Sequence, residues 1–537
     1  MISLLDYGAG NVRSVRNAIA RLGYGLTEIE RPDDILRAER LIFPGVGAFG
    51  AAMQRLDALG YREPLTEYLA GGRPFLGICI GLQCLFEGSE ESPGVAGLGL
   101  IPGQVRRFRG AGLSVPHMGW NGLRLRRGSN LLEGCTGEKL YFVHSYHAER
   151  TKENADWVLA ETDYGAPFVS AVQRGAVIAV QFHPEKSGAV GLDVLRRFLD
   201  GTADAPVQSE PAAQQGETRL AKRIIACLDV RANDQGDLVV TKGDQYDVRE
   251  AGAVRNLGKP VELARRYYDE GADEITFLNI TGFRDFPLAD QPMLEVLRRT
   301  SENVFVPLTI GGGIRAFTDA DGHRWSALDV AAEYFRSGAD KVSIGSDAVL
   351  TVEEVLARGS GDGTSAIEQI ARVYGNQAVV ISVDPRRVYV RSPEETDHHC
   401  VESATPGPNG ERWCWFQCTI KGGREGRDID AVQLARVCEQ LGAGEILLNS
   451  IDRDGSGAGF DLELIGAVRA AVGIPVIASS GAGSPEHFRE VLEVTDVEAA
   501  LAAGIFHRRE VPIVAVKDHL RAAGIEIRDG ADLAEQD

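Results

Sequence analysis

The sequence predicts two α/β units in one chain, an open-sheet unit followed by a (β/α)8 barrel, and three observations predict it. Strand-like apolar runs alternate with helical patterns along the chain, one polar stretch interrupts them, and beyond it a set of motifs occurs twice in the same order. The 537 residues, 44% apolar and 25% charged, suffice for sizeable cores and exclude a disordered or collagen-like chain. Lys plus Arg number 57 against 77 for Asp plus Glu, a net charge of −20, so nucleic acid and anionic membrane are not expected partners. No run approaches the roughly 18 apolar residues of a membrane span, and Met1 to Asp6 lacks the basic start of a secretory signal. The eight cysteines are scattered, which suits reduced thiols in a cytoplasmic protein.

The first apolar run, Ile2 to Leu5, leads through a Gly-rich turn into the helical spacing Val12, Val15, Ile19, Leu22. Leu41 to Phe43 and Phe75 to Ile78 repeat the theme, as an open α/β sheet requires. Residues 200–219, poor in large apolar side chains and rich in Ala, Pro, Gln and Glu, read as a linker. The expected division is 1–200 for the open-sheet unit, 201–219 for the linker, 220–528 for the barrel and 529–537 for a polar tail. Past the linker, Ala226 to Val230 matches Ile381 to Pro385, and Gly271 to Ile275 matches Gly442 to Ile446. Val306 to Gly313 likewise matches Ile474 to Gly481, and Val342 to Gly345 matches Leu501 to Gly504. Four strand-and-turn units occurring twice imply eight, and a barrel built from two halves closes them.

In the first unit, Gly77-Ile-Cys79-Ile-Gly81 joins the apolar run Pro74 to Ile78 to the helical spacing Leu82, Leu85, Phe86. Small residues around a thiol at a strand-to-helix turn make a nucleophile elbow, and a helix N-terminus favours thiolate. Ala176 to Phe182 reads as a buried strand ending in His183-Pro184-Glu185. Residues two apart in an extended segment share a face, so His183 and Glu185 point together. Cys79, His183 and Glu185 then supply nucleophile, base and orienting acid. His117, His144 and His147 have no such elbow and read as structural or rim residues.

In the second unit, Asp229 and Asp384 both end apolar strands at matching places in the two halves. Strand ends converge on one mouth of a barrel, so the two carboxylates should face each other there, a pair suited to general acid/base work. Glycine-rich turns at Gly311-Gly312-Gly313, Gly345-Ser346, Asp454-Gly455, Ser479-Ser480-Gly481 and Gly504 follow predicted strands. Backbone amides in such turns bind phosphate without Lys or Arg, which suits so acidic a chain. A set in each half points to a substrate carrying two phosphates. No cofactor is called for.

Asp6 to Asn11, Pro44 to Gly47, Gly77 to Gln83, His117 to Asn121, Tyr141 to Tyr146 and Gln181 to Ser187 resemble the motifs of class I glutamine amidotransferases. Leu220 to Val230, Lys242-Gly243, Gly442 to Leu448 and Ala503 to His507 resemble a cyclase barrel of histidine biosynthesis. Together they resemble the fused, single-chain imidazole glycerol phosphate synthase family. The resemblance implies that Cys79 takes ammonia from glutamine through a thioester, with the Ile80 amide and the Pro44 to Gly47 loop as oxyanion hole and Gln83, Tyr141 and Ser145 as glutamine contacts. It implies that the ammonia reaches a bisphosphorylated ribotide in the barrel, where Asp229 and Asp384 are the acid/base pair and Lys242 a loop residue near the substrate. Arg223, Glu274, Lys341 and Glu445, near the starts of predicted strands 1, 2, 4 and 6, would form a charged ring beneath the docked glutaminase, with Lys186 and Asp340 as interdomain contacts. Asn279 stands where single-domain relatives more often have Asp, and no role is assigned to it.

The stretch Arg386 to Trp415 is longer than the hairpin expected there. Its His398, His399 and Cys400, with Cys414 and Cys418 nearby, match no zinc spacing, so a solvent-facing insertion is expected and no metal. Two other functions compete: a sugar-phosphate isomerase barrel, which would have no use for a thiol domain, and a phosphate-sensing scaffold, which would have no use for an intact set of five catalytic side chains.

Overall fold

The computed structural model describes residues 2–8, 10–204, 216–233, 238–241, 249–250, 253–254, 257–280, 292–319 and 322–530. Lys242, most of the expected linker and residues 531–537 of the expected tail lie outside them. The first unit is built on strands β1 (Ile2–Leu4), β2 (Leu26–Glu28), β3 (Arg40–Phe43), β4 (Phe75–Ile78), β5 (Arg124–Leu125), β6 (Val158–Tyr164), β7 (Ala166–Arg174) and β8 (Val177–Val180). They form one sheet in the order β2-β1-β3-β4-β8-β7-β6-β5. The first five are parallel and the last three extend the sheet antiparallel. β4 and β8 are buried throughout, which explains their unbroken apolar runs. The helix Val12–Arg21 forms as its spacing predicts and buries Val12, Val15, Ala18 and Ile19. The helix expected after Cys79 is a single turn, Ile80–Gln83. Leu85 and Phe86 instead lead into a strand, Phe86–Ser89, because Phe86 pairs with Ile101 of the strand Ile101–Arg107; three apolar residues are too few to settle the period on their own.

The second unit is a closed barrel of eight parallel strands: β9 (Arg223–Ala232), β10 (Glu274–Asn279), β11 (Leu308–Gly311), β12 (Lys341–Ile344), β13 (Val379–Val383), β14 (Glu445–Asn449), β15 (Val476–Ser479) and β16 (Ala499–Ala502). Each pairs with the next, and β16 returns to β9, Arg223 opposite Ala499 through Ala226 opposite Ala502. The four repeated motifs fall on β9 and β13, β10 and β14, β11 and β15, β12 and β16, as the repeat predicts. Asp384 follows β13 directly, whereas Asp229 does not end its strand. β9 runs on to Ala232 and folds back against Leu238–Val240, so Asp229 sits inside a strand whose last residues leave the barrel as a hairpin.

The stretch after Asp384, expected as a solvent-facing insertion, is a small antiparallel sheet with one buried face. Its strands are Pro385–Val390, Cys400–Glu402, Trp413–Ile420 and Glu425–Asp430, with Trp413–Ile420 in the middle. Cys414, Phe416, Cys418 and Ile420 alternate along that strand and are buried, so one face of the sheet is core. His398 stacks on Trp415 at 3.8 Å between ring centroids and pairs with Asp428 at 2.9 Å, which gives it a packing role.

The open-sheet unit sits on the end of the barrel where the strands begin. Asn11 donates to Asp340 Oδ1 at 2.8 Å and to the Gly338 carbonyl at 3.0 Å, and Lys186 pairs with Asp340 at 2.7 Å. Trp120 Nε1 donates to the Asp273 carbonyl at 3.1 Å, and the Arg528 guanidinium lies 4.2 Å from the Trp120 ring centre. One buried apolar cluster runs through Trp120 and Tyr141 into Ile224 and Ala272 of the barrel. The end of the expected linker is docked as well: the Thr218 N–H donates to Asp163 at 2.9 Å and the Ala221 N–H to the Trp120 carbonyl at 2.8 Å. Among the described residues no helix is long and apolar enough to cross a membrane.

Candidate active sites

Cys79 stands at the C-terminal end of β4 with φ 52° and ψ −100°, a conformation that β-carbon-bearing residues adopt only when the surroundings impose it. The flanking glycines are what allow it. A β-carbon on Gly77 would lie 2.7 Å from the Gly81 carbonyl oxygen, and one on Gly81 would lie 2.2 Å from that of Phe43. Gly45 is equally constrained, since a β-carbon there would meet the Ile80 side chain at 2.4 Å; the Pro44 to Gly47 loop is therefore packed directly on the elbow.

His183 Nδ1 and Glu185 Oε1 are 2.8 Å apart and both side chains are buried. They meet by a different route from the extended one. β8 stops at Val180, and Glu185 lies in a 3-10 turn, Pro184–Lys186, that folds its carboxylate back under the imidazole. The backbone is held by the His183 N–H donating to the Tyr141 carbonyl at 2.8 Å and by Ser187 Oγ donating to the His183 carbonyl at 2.6 Å. Burial alone would lower the His183 pKa, but the Glu185 carboxylate and the Cys79 sulfur outweigh it and hold the imidazole well above its ordinary value. A thiol, an imidazole biased towards imidazolium and a carboxylate fixing its far nitrogen form a set able to run acyl transfer at sulfur.

Gln83 donates from Nε2 to the Tyr146 carbonyl at 3.0 Å and to Gln181 Oε1 at 3.1 Å, and Gln181 Nε2 in turn reaches Cys79 Sγ at 3.4 Å. Ser145 lies at this end, beyond the strand Leu140–His144. Tyr141 lies at the other end of the same strand, towards the barrel. Burial raises its pKa first, and Glu274, Glu445 and Asp340 add to the rise, so its hydroxyl is near the barrel's charges. Two residues here escape the sequence reading. Gln181 was legible only as part of a motif. Glu91 accepts the Phe49 N–H at 2.6 Å just after the Pro44 to Gly47 loop, and burial pushes its carboxyl up. His117, His144 and His147 are buried among Phe108, Phe142, Phe168 and Tyr164, and burial lowers His144 to about 3 and His147 to about 4, so they are structural.

The four predicted ring residues are each the first of their strand: Arg223 of β9, Glu274 of β10, Lys341 of β12 and Glu445 of β14. They close into a ring of alternating sign with none more than 1% exposed. Arg223 meets Glu274 at 2.9 Å and Glu445 at 2.5 Å, and Lys341 meets Glu274 at 2.7 Å and Glu445 at 2.6 Å. Burial disfavours every charge here, yet the partners prevail: the Arg223 pKa is raised and that of Glu445 lowered. Lys341 Nζ also lies 3.5 Å from Met118 Sδ of the first unit, so the ring touches the docked face.

The period of two then carries the argument up the barrel. On β9, Arg223, Ile225, Cys227 and Asp229 share a face; Val380, Ser382 and Asp384 do so along β13 and beyond it; Glu445, Leu447 and Asn449 do so on β14. Ile225, Cys227, Val380 and Leu447 belong to one buried cluster between the ring and the carboxylates. Asn449, which the sequence reading missed, donates to Asp384 Oδ1 at 2.8 Å and to Ser382 Oγ at 3.1 Å, while Thr419 Oγ1 donates to the Asp384 carbonyl at 2.7 Å.

The glycine turns surround the same mouth. Gly312 and Gly313 have φ of 95° and 76°, and a β-carbon on Gly312 would lie 2.2 Å from the Asn279 carbonyl oxygen. Gly345 caps the helix Ser346–Arg358, and Gly504 begins the short helix Gly504–His507. Ser480 and Gly481 have φ of 74° and 98°, and the Gly459 N–H donates to the Gly481 carbonyl at 2.8 Å. That bond ties the loop of Asp454 and Gly455 to the turn Ser479 to Gly481. The turns at Asp454 and Ser479 do not open helices directly, since the following helices begin only at Leu462 and Pro485.

Comparisons with known proteins match two families, one to each unit. The profile of the family described as glutamine amidotransferase class-I matches residues 3–201, and that described as histidine biosynthesis protein matches residues 223–512. The chain is 60% identical over 532 residues to imidazole glycerol phosphate synthase hisHF, chloroplastic, of Arabidopsis thaliana, covering 98% of this chain and 89% of that protein. It is 56% identical to the hisHF synthase of Emericella nidulans, covering 98% of each. Against that of Schizosaccharomyces pombe it is 54% identical, covering 98% of this chain and all of the other. The chain belongs to the imidazole glycerol phosphate synthase hisHF family, in which a class I glutamine amidotransferase domain and a histidine-biosynthesis barrel share one polypeptide.

Proposed function

We propose that the chain hydrolyses glutamine at Cys79 and passes the ammonia through the barrel to Asp229 and Asp384. There a phosphoribulosyl-formimino aminoimidazole carboxamide ribotide is converted to imidazole glycerol phosphate and the aminoimidazole carboxamide ribotide. The thiolate of Cys79 attacks the side-chain carbonyl of glutamine, and the resulting oxyanion is met by the Ile80 amide and the Pro44 to Gly47 loop. His183 protonates the departing ammonia, then activates the water that frees glutamate from the thioester. Gln83 and Ser145 line the glutamine side of the elbow, and the half-buried Glu91 carboxylate suits the substrate's ammonium group. Tyr141 belongs to the passage rather than to the glutamine pocket.

The observation that carries this reading is the ring of Arg223, Glu274, Lys341 and Glu445, which stands between the thiol unit and the inward face leading to Asp229. Ammonia that crosses it meets Ile225 and Cys227 instead of bulk water, where it would be protonated. At the mouth, Asp229 and Asp384 transfer the protons of ring closure and cleavage. One phosphate is held at Gly313, Gly345 and Ser346, the other at Ser479, Ser480, Gly481 and Gly504, with Asp454 and Gly455 beside them. The division 1–200, 201–219, 220–528 and 529–537 is part of the same reading. Eight free cysteines suit a reducing compartment, here the cytoplasm.

The test is Cys79→Ala. Glutamine-dependent synthesis should vanish while ammonium at high pH still supports cyclisation; loss of both in a folded variant would refute the division of labour.

A further inference from the structure

The sheet that follows Asp384 touches one set of phosphate turns and the loop that supports the other. At one end, the Lys421 N–H donates to Ser346 Oγ at 3.1 Å, and the Arg427 guanidinium grips both carboxylate oxygens of Glu353 at 2.7 Å each. Ser346 and Glu353 lie on the helix Ser346–Arg358, which starts at the Gly345 turn. At the other end, the Arg387 N–H donates to Asp452 Oδ2 at 2.7 Å, and its guanidinium holds Asp461, Glu463 and Ser403. Asp461 caps the helix Leu462–Ala471 and also receives Ser450 Oγ at 3.2 Å, so the loop from Ser450 to Asp461 is held at both ends. Through the bond between Gly459 and Gly481, that loop carries the turn of the second phosphate set.

Stability alone does not account for the Arg387 cluster. Its side chain is 9% exposed and that of Asp461 is fully buried, and a buried ion pair is often no more stabilising than apolar residues of the same volume. What such a cluster supplies is geometry. A ligand with two phosphates gains from the second contact only if the span between the sites matches its own length.

We propose that the sheet of residues 385–430 is a brace that sets the distance between the two phosphate turns, with Arg387 and Arg427 as positioning residues. It rests on the reading that those turns hold the two phosphates of one substrate. Among the described residues, the matching place in the first half of the barrel holds the hairpin of Val230–Ala232 with Leu238–Val240 and the short pair of Arg249–Glu250 with Ala253–Val254.

The experiment is calorimetric titration of the full-length protein and of Arg427→Gln and Arg387→Lys, without glutamine or ammonium. Three ligands are compared: the bisphosphorylated ribotide, imidazole glycerol phosphate and the aminoimidazole carboxamide ribotide, the last two carrying one phosphate each. The bisphosphate should bind about tenfold more weakly to each variant, while the two single-phosphate ligands change less than about twofold. Basal glutaminase activity should be unchanged. Equal weakening of all three ligands, or no change in any, overturns the brace. Wild-type protein that binds the bisphosphate no more tightly than the single-phosphate ligands overturns the two-site reading itself, and the brace with it. Arg427 and Glu353 are about 30% exposed, so Arg427→Gln carries the test if Arg387→Lys fails to fold.

Discussion

The two halves of the barrel repeat their strands but not all of their chemistry. Asp229 and Asp384 match across the repeat, as do Glu274 and Glu445. The cations of the ring do not: Arg223 corresponds to Ala378 and Lys341 to Ala500, so both positive charges come from the first half. At the mouth the asymmetry is reversed. Asn449 of the second half donates to Asp384, while Leu278 occupies its place beside Asp229. A duplicated scaffold therefore supplied paired carboxylates at each end, and unpaired substitutions then made one end a neutralised ring and gave the two acids different surroundings.

The strongest way to break this comparison is to remove the acids one at a time. Asp229→Asn and Asp384→Asn should each lower ammonium-driven cyclisation by at least about 10² to 10⁴ while glutaminase activity persists. Ammonium assays that show normal turnover in both would end the acid/base assignment.

Next comes the ring. Lys341→Met leaves Glu274 and Glu445 to share Arg223, and an uncompensated buried charge should cost about 3–5 kcal/mol in denaturant unfolding. Arg223→Met should do the same, whereas Ala378→Val and Ala500→Val touch no charge and should cost far less. In the same variants imidazole glycerol phosphate formed per glutamate should fall more than synthesis from added ammonium. A product ratio unchanged in both would make the ring structural.

A smaller effect separates the two acids. Asn449→Leu copies the first half into the second, removing a hydrogen bond to Asp384, and should lower cyclase kcat roughly 10- to 150-fold, the equivalent of the ~1.5–3 kcal/mol typical of bonds to charged groups. Leu278→Val should have little effect. Equal losses in the two variants would mean that the halves do not differ as described.

The smallest expected effect lies in the open-sheet unit, which has no repeat to buffer it. The His183 pKa is raised in the folded state, so the folded protein binds more protons than the unfolded chain above the ordinary value of about 6.5. Its contribution is complete below that pH and is lost as pH rises towards the raised value. The stability difference between wild type and Glu185→Gln should therefore be largest in mild acid and shrink with alkalinity; a gap that widens with pH would contradict the pairing of His183 with Glu185.

Much of this was legible before any coordinates. The glycines around Cys79 announce a turn that only small neighbours permit, and the repeated Asp, Glu and Gly positions announce a barrel of two halves. Other features were not. His183 and Glu185 meet through a 3-10 turn, and the spacing Leu82, Leu85, Phe86 concealed a strand. Gln181 was visible only as the first residue of a motif, Glu91 and Asn449 were missed because amides and lone carboxylates carry no motif until their partners are known, and the alternation of Cys414, Phe416, Cys418 and Ile420 gave no hint of what that sheet would grip.

By itself the sequence determined what depends on near neighbours: the elbow at Cys79, the order of the repeated strands, the inward parity that sets Arg223 and Asp229 on one face. Only the tertiary structure decided that four charges from strands scattered over 223 to 445 neutralise one another against Met118, and that Arg387 reaches Asp461. Periodicity and steric limits act within a few residues and can be read along the chain. Charge pairing and burial act through space, and their partners are chosen only when the barrel closes and the first unit docks on its end.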